Sequence, residues 1–236
     1  MKIIIHGGFF SESSTNVETK VAKQEALLRI VKKSHEYLQT HSAVEAVVFA
    51  VTMLEDDSLF NAGIGSQIQS DGKIRMSAAL MNGETQKMSG VINIENIKNP
   101  IQVAEVLMKE DDRILGGSGA TSYARQYGFE EFSTEIPQRR AEYEVKLKTL
   151  GLGTVGCVAL DKDGKLAVAT STGGKGFELV GRISDSATVA GNYANPFCGV
   201  SLTGVGEDIV SNATAAKIVT RVTDGFSLKE DRKSVV

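Results

Sequence analysis

Residues 153–174 hold two threonines that a hairpin would bring side by side. Gly153-Thr154-Val155-Gly156-Cys157 leads to a turn at Asp163-Gly164, and Leu166 to Thr172 leads back to Gly173-Gly174. Apolar residues at Val155, Cys157, Val158 and Leu160, then at Leu166 and Val168, read as two strands. A three-residue loop, Lys162-Asp163-Gly164, with glycine in the left-handed third position pairs Asp161 with Lys165. That register sets Thr154 opposite Thr172. Directly opposed residues share a face, so the hydroxyls can interact, and the flanking glycines leave the backbone open to a ligand. Threonine is also an ordinary strand residue and Asp-Gly an ordinary turn, so the pair draws its meaning from three segments nearer the C-terminus. Gly181-Arg182-Ile183-Ser184-Asp185-Ser186, Gly191-Asn192-Tyr193-Ala194 and Ser201-Leu202-Thr203-Gly204-Val205-Gly206-Glu207 add a cation, an anion, a third hydroxyl and backbone N–H groups. Such a set suits a zwitterionic amino-acid substrate and a developing oxyanion. The plainer reading makes Arg182 and Asp185 a surface ion pair of little consequence, and Glu207 and Asp208 the acidic start of a helix.

In order and spacing, GTVGCVAL, ATSTGG, GRISDS and TGVGE, with the opening IIIHGG and the segment LEDDSLFNAGIG at 54–65, resemble one family. It is the plant-type asparaginase and isoaspartyl peptidase family of N-terminal nucleophile hydrolases, and the resemblance spans nearly the whole chain. It implies an α+β fold, the four-layer αββα sandwich, and a precursor that cuts itself between Gly153 and Thr154. The products would be an alpha piece, 1–153, and a beta piece, 154–236. A threonine hydroxyl is a weak nucleophile that needs a base. Cleavage supplies one, because a free α-amino group has a pKa near ~8. The histidines, His6, His35 and His41, all precede Thr154, and no Ser-His-Asp order is present. By the resemblance, Thr172 hydrogen-bonds and tunes Thr154, and Thr203 with the N–H of Gly204 forms the oxyanion hole. Arg182 would grip the substrate α-carboxylate and Asp185 the α-ammonium, with Gly206 helping. The implied reaction acylates Thr154 with the β-carboxamide of L-asparagine or a β-aspartyl dipeptide, then hydrolyses the ester.

The same resemblance implies no cofactor for catalysis. It also implies a structural sodium ion wrapped by the main-chain carbonyls of Leu54, Glu55, Asp57, Phe60, Ala62 and Ile64, with Asn61 bracing the loop. The acidic residues there lack EF-hand spacing, which excludes that kind of calcium site. A homodimer of processed units is expected. Alternatives are a glycosylasparaginase with an open sugar-side pocket, a threonine endopeptidase with a broader cleft, and an uncleaved, silent binding protein. Cys157 as nucleophile is weighed against a small core side chain, and the core reading is preferred.

Several elements must position these residues. Periodicity predicts a first strand over 2–5, helices over 16–39 and 43–54, strands over 74–80 and 87–94, helices near 101–109 and 119–127, and one helix over 208–222. Ser42 and Glu45 have the spacing of a capping box. Residues 130–153 read as a polar, exposed linker beside the expected cut, with a helical turn possible at 141–150. At 236 residues and 42% hydrophobic, the chain can bury a core as one domain, 1–236. A net charge of -3 comes without a basic tract that would suggest nucleic acid or an acidic membrane as partner, and the small-molecule substrate is what the resemblance implies. No apolar run reaches a membrane span or a signal-peptide core, so a cytoplasmic location is expected. Two cysteines make neither a disulfide framework nor a metal cluster. Phe9-Phe10 stand where the family has small residues, a departure at the expected entrance. Residues 231–236 read as translated sequencing-adapter sequence, a non-native tail. Related chains continue for several dozen residues, so a C-terminal truncation is expected.

Overall fold

The computed structural model describes residues 1–8, 17–145 and 153–227. Phe9, Phe10, residues 146–152 and the 231–236 tail lie outside the described residues. The fold is α+β. Strands β1 (Lys2–His6), β2 (Met76–Asn82), β3 (Lys87–Ile94), β4 (Ile114–Gly116), β5 (Val155–Leu160) and β6 (Leu166–Thr172) form one mixed sheet in the order β1-β5-β6-β2-β3-β4. Every pairing is antiparallel except β3 with β4.

Strand alternation divides the sheet into two unlike faces. Val155, Cys157, Ala159, Ala167 and Ala169 join Ala78 and Leu80 in the main core. Helices α1 (Val17–Leu38), α2 (Ala43–Glu55), α3 (Pro100–Leu107) and α4 (Gly117–Gln126) pack on the sheet, and their apolar residues Ile30, Val47, Ala104 and Ala120 complete this core. The small residues on β5 and β6 let α2 approach closely. Its start is fixed by the expected capping box, in which Ser42 Oγ accepts the Glu45 N–H and Glu45 accepts the Ser42 N–H. Cys157 is buried in this core, and burial pushes its thiol well above the usual range, as suits a packing residue.

The alternate residues Met81, Val168 and Val158 belong to a second, smaller cluster with Tyr193 and Ala194. Those two residues lie on β7 (Asn192–Ala194), which pairs with β8 (Gly199–Ser201) as a two-stranded sheet packed against β2, β5 and β6. The predicted helix over 208–222 is two helices, α6 (Gly206–Ser211) and α7 (Thr214–Thr223). Tertiary bonding breaks it. The N–H groups of Ala215 and Ala216 donate to the carbonyls of Ala190 and Val189, and Ala213 turns into the left-handed region, φ 46°. Helix α7 thereby docks on β7 and β8.

Within 130–145 the polar stretch forms helix α5 (Pro137–Glu144), with proline in its first turn and no buried residue. Arg139, Arg140 and Tyr143 donate to the carbonyls of Gly65, Gly72 and Ser70, so this part is tied to the body of the fold.

Candidate active site

The hairpin register is the one that its loop dictates. Asp161 N–H donates to Lys165 O at 3.0 Å, Gly164 adopts φ 76°, and the ladder runs from Leu160 opposite Leu166 to Val155 opposite Ser171. One step further, Thr154 faces Thr172, and both are buried, at 9% and 6% exposed. Alternation puts the pair on the β7–β8 side of the sheet with Val158 and Val168. The hydroxyls take different partners. Thr154 Oγ1 lies 3.3 Å from Ser186 Oγ, while Thr172 Oγ1 accepts the Gly174 N–H at 3.2 Å. The backbone before Thr154 is tightly enclosed. A Cβ on Gly153 would come 2.7 Å from Asn61 Cβ, and one on Gly8, at φ 104°, would come 2.5 Å from Gly153 Cα.

Arg182 does not pair with Asp185. Its Nε and Nη2 donate to the two carboxylate oxygens of Glu207 at 2.7 and 3.0 Å, and this bidentate bond holds Glu207 down to about 2. Asp185 is 3% exposed, Oδ2 has no partner among the described residues, and burial raises its carboxyl above the ordinary range. Both groups converge on Gly206. A Cβ there would meet Asp185 Oδ1 at 2.8 Å and an Arg182 guanidinium nitrogen at 3.1 Å. A cation and an anion therefore flank one patch of bare backbone, a geometry for a ligand carrying both charges. Thr203 Oγ1 is buried and without a partner among the described residues, a free hydroxyl donor of the kind an oxyanion requires.

A polar layer lies beneath the threonine pair. His6 Nε2 is 2.9 Å from Ser201 Oγ, Ser201 Oγ is 2.7 Å from Thr170 Oγ1, and Thr170 Oγ1 donates to Asn192 Oδ1 at 2.9 Å. The layer joins β1, β6, β7 and β8 across the gap between the sheets. Gly156 makes room for it, since a Cβ there would lie 1.9 Å from Ser201 Oγ. Burial lowers the His6 pKa to about 4, so the ring is neutral near pH 7.

The loop after α2 is held by its own backbone hydrogen bonds. Leu54, Glu55 and Asp57 carbonyls accept the N–H groups of Asp57, Ile64 and Phe60. The Ser58 and Phe60 carbonyl oxygens crowd Gly65, lying 2.6 and 2.9 Å from where a Cβ would stand. The acidic side chains turn elsewhere: Asp57 accepts from Arg29 and the Leu59 N–H, and Glu55 Oε1 accepts from Ser171 Oγ and the Ile101 N–H. Burial pushes the Glu55 carboxyl up to about 8. Asn61 braces the loop against the hairpin, its Nδ2 donating to Gly174 O and its Oδ1 accepting the Gln67 N–H. Among the described residues no cluster of His, Cys, Asp and Glu side chains could hold a metal ion, so a cation here would rest on carbonyl oxygen.

Sequence reasoning does not single out Ser186, the Ser201 and Thr170 hydroxyls or the inward Glu55 carboxyl, and it gives Glu207 only a place at a helix start. Strand alternation carries a signal for Thr170, two residues before Thr172. Ser186 sits in a loop and carries none.

A family model described as asparaginase matches residues 1–236. The chain is 46% identical to an isoaspartyl peptidase/L-asparaginase from Synechocystis sp., over 97% of this chain and 75% of that protein. It is 36% identical to a plant-type L-asparaginase from Pyrococcus furiosus, covering 92% and 78% of the two chains. An isoaspartyl peptidase from Escherichia coli is 36% identical over 99% of this chain and 81% of its own length.

Proposed function

Because the chain belongs to the asparaginase family, we propose that it is a self-processing amidohydrolase of β-aspartyl dipeptides and L-asparagine, with Thr154 as nucleophile. The observation that carries this reading is the buried Thr154 hydroxyl, opposite Thr172 and directly after Gly153, with a separate cation and anion converging on Gly206. Cutting the Gly153–Thr154 bond frees an α-amino group beside that hydroxyl, and this amine takes its proton when the substrate is attacked. Arg182, held in place by Glu207, binds the α-carboxylate, and Asp185 binds the α-ammonium. The side-chain carbonyl then reaches Thr154. Thr203 Oγ and the Gly204 N–H hold the oxyanion, ammonia or an amino acid leaves, and water releases aspartate.

The carbonyls of Leu54, Glu55, Asp57, Phe60, Ala62 and Ile64 suit a sodium ion, which would stiffen the loop that carries Asn61. The reading extends to the four-layer sandwich, to a homodimer of processed units and to a cytoplasmic location. The layering is supported by helices on the large sheet and α7 on the small one. Cys157 and Cys198 are both buried thiols, which suits a cytoplasmic location. No described helix is long and apolar enough to cross a membrane.

Intact mass spectrometry of the purified chain tests the reading, with ammonia release from L-asparagine and hydrolysis of β-aspartyl-leucine measured on the same sample. A fragment beginning at Thr154, absent from Thr154→Ala together with both activities, is the expected result. Equal cleavage in the two proteins refutes the assignment of the nucleophile.

A further inference from the structure

Self-cleavage poses a problem that substrate turnover does not. Before the cut, the Thr154 nitrogen is an amide with no basic lone pair, so the base that serves the mature enzyme does not yet exist. In the uncleaved chain the Thr154 hydroxyl meets Ser186 Oγ at 3.3 Å, and Ser186 is only 1% exposed, so water does not compete for it. Among the described residues the side chain bonded to the Thr154 hydroxyl is Ser186, whereas Asp185 Oδ2, Thr203 Oγ1 and His6 Nδ1 are without a partner and are not bonded to it. Thr172 Oγ1 accepts the Gly174 N–H, and His6 uses Nε2 on Ser201. Asp185 turns Oδ1 towards Gly206, where a Cβ would meet it at 2.8 Å.

We propose that Ser186 is a catalytic residue of self-cleavage, its hydroxyl receiving the Thr154 proton as Thr154 Oγ adds to the Gly153 carbonyl carbon. The inference rests on Thr154 as the nucleophile. In the step, the Oγ–C bond forms and Ser186 takes the Oγ proton while passing its own towards the Thr154 nitrogen. The C–N bond then breaks, leaving an ester and a neutral amine. Water adds to the ester carbon, the Oγ–C bond breaks, and Oγ recovers a proton. The products are a Gly153 carboxylate and a free Thr154 amino group. From then on that amine is the nearer base, so the burden on Ser186 falls on this first event.

The test is cell-free synthesis of the whole chain, with cleavage timed by intact mass and L-asparagine turnover expressed per cleaved chain. For Ser186→Ala, cleavage is expected to slow about 100-fold, at the low end of general acid–base contributions, while turnover per cleaved chain stays within about 3-fold. Ser186→Ala cleaving at the wild-type rate overturns the proposal. So does an equal fall in cleavage and turnover, which would mark Ser186 as merely structural. If circular dichroism shows that the alanine chain does not fold, Ser186→Cys decides. A thiol is a weak acceptor, so a slowing of at least about tenfold is expected, and wild-type speed overturns the proposal. A wild-type chain that never cuts at Gly153–Thr154 refutes the nucleophile itself, an outcome distinct from all of these.

Discussion

Replacing Thr170 with valine tests whether the polar layer beneath the threonine pair sets the geometry of the site. Valine keeps the shape of threonine and removes one oxygen. That oxygen donates to Asn192 Oδ1 at 2.9 Å in the interior and accepts from Ser201 Oγ at 2.7 Å in a partly buried contact. Each buried group left short of a partner costs about 1–3 kcal/mol. The His6 bond still holds Ser201 in part, so a total loss of about 2–4 kcal/mol is expected. Thr170→Ser keeps the hydroxyl and removes a methyl group, a loss of about 1 kcal/mol. The activity consequence comes from alternation: Thr154, Thr172, Gly8 and Thr203 each lie two residues from Gly156, Thr170, His6 and Ser201. A loosened layer changes the spacing between strands that adjoin the proposed nucleophile and the proposed oxyanion donor, and a misplacement near 1 Å costs on the order of 100-fold in rate. Urea unfolding and L-asparagine kinetics on Thr170→Val and Thr170→Ser read both effects. The proposed substrate clamp at Arg182 and Asp185 is not in the layer, so the valine variant should lose kcat far more than it raises KM. Valine and serine variants of equal stability and equal kcat would refute the reasoning.

Four further outcomes are expected. The His6 pKa, about 4 against an ordinary 6.5, is depressed, so its contribution to stability is complete above pH 6.5 and is lost as pH falls towards 4. The loss amounts to about 3 kcal/mol at most, and His6→Gln should flatten the stability–pH curve between those values relative to wild type. Gly156→Ala drives a methyl group into Ser201 Oγ and His6 Nε2, at 1.9 and 2.5 Å; overpacking of this kind costs about 1–3 kcal/mol or more, visible as a lower Tm. Glu207→Gln should leave stability within about 1 kcal/mol, since Glu207 is exposed, yet raise KM several-fold by releasing the Arg182 guanidinium; an unchanged KM would show that Glu207 does not hold Arg182 for the substrate. Arg182→Ala should leave self-cleavage intact while raising KM for L-asparagine at least about 100-fold, as expected for loss of a charge-assisted pair; loss of cleavage would contradict the separation of the two roles.

The features legible in the sequence are those that short-range rules decide. The loop Lys162-Asp163-Gly164 fixes its own register, and through it the Thr154–Thr172 opposition. Ser42 and Glu45 cap α2 through contacts three residues apart. Prolines at 100 and 137 stand in the first turns of α3 and α5, but only α3 reads as a helix of its own in the sequence, because α5 has no apolar face to announce it. Where partners are distant the sequence is mute. The break between α6 and α7 arises from carbonyls at 189 and 190. Arg182 stands three residues from Asp185, yet it bonds Glu207, 25 residues away, because the intervening turn buries Asp185 and aims it at Gly206. Ser186 reaches Thr154 across 32 residues for the same reason. The polar layer falls between these cases. Strand periodicity of two places Thr170 beneath Thr172, and Gly156 beneath Thr154, before any coordinates are known. Periodicity cannot supply the meeting of two separate sheets there, by which Ser201 fills the space Gly156 leaves. A glycine alternating with a catalytic candidate on a strand is therefore a signal in itself: it marks where another layer comes close enough to position the chemistry.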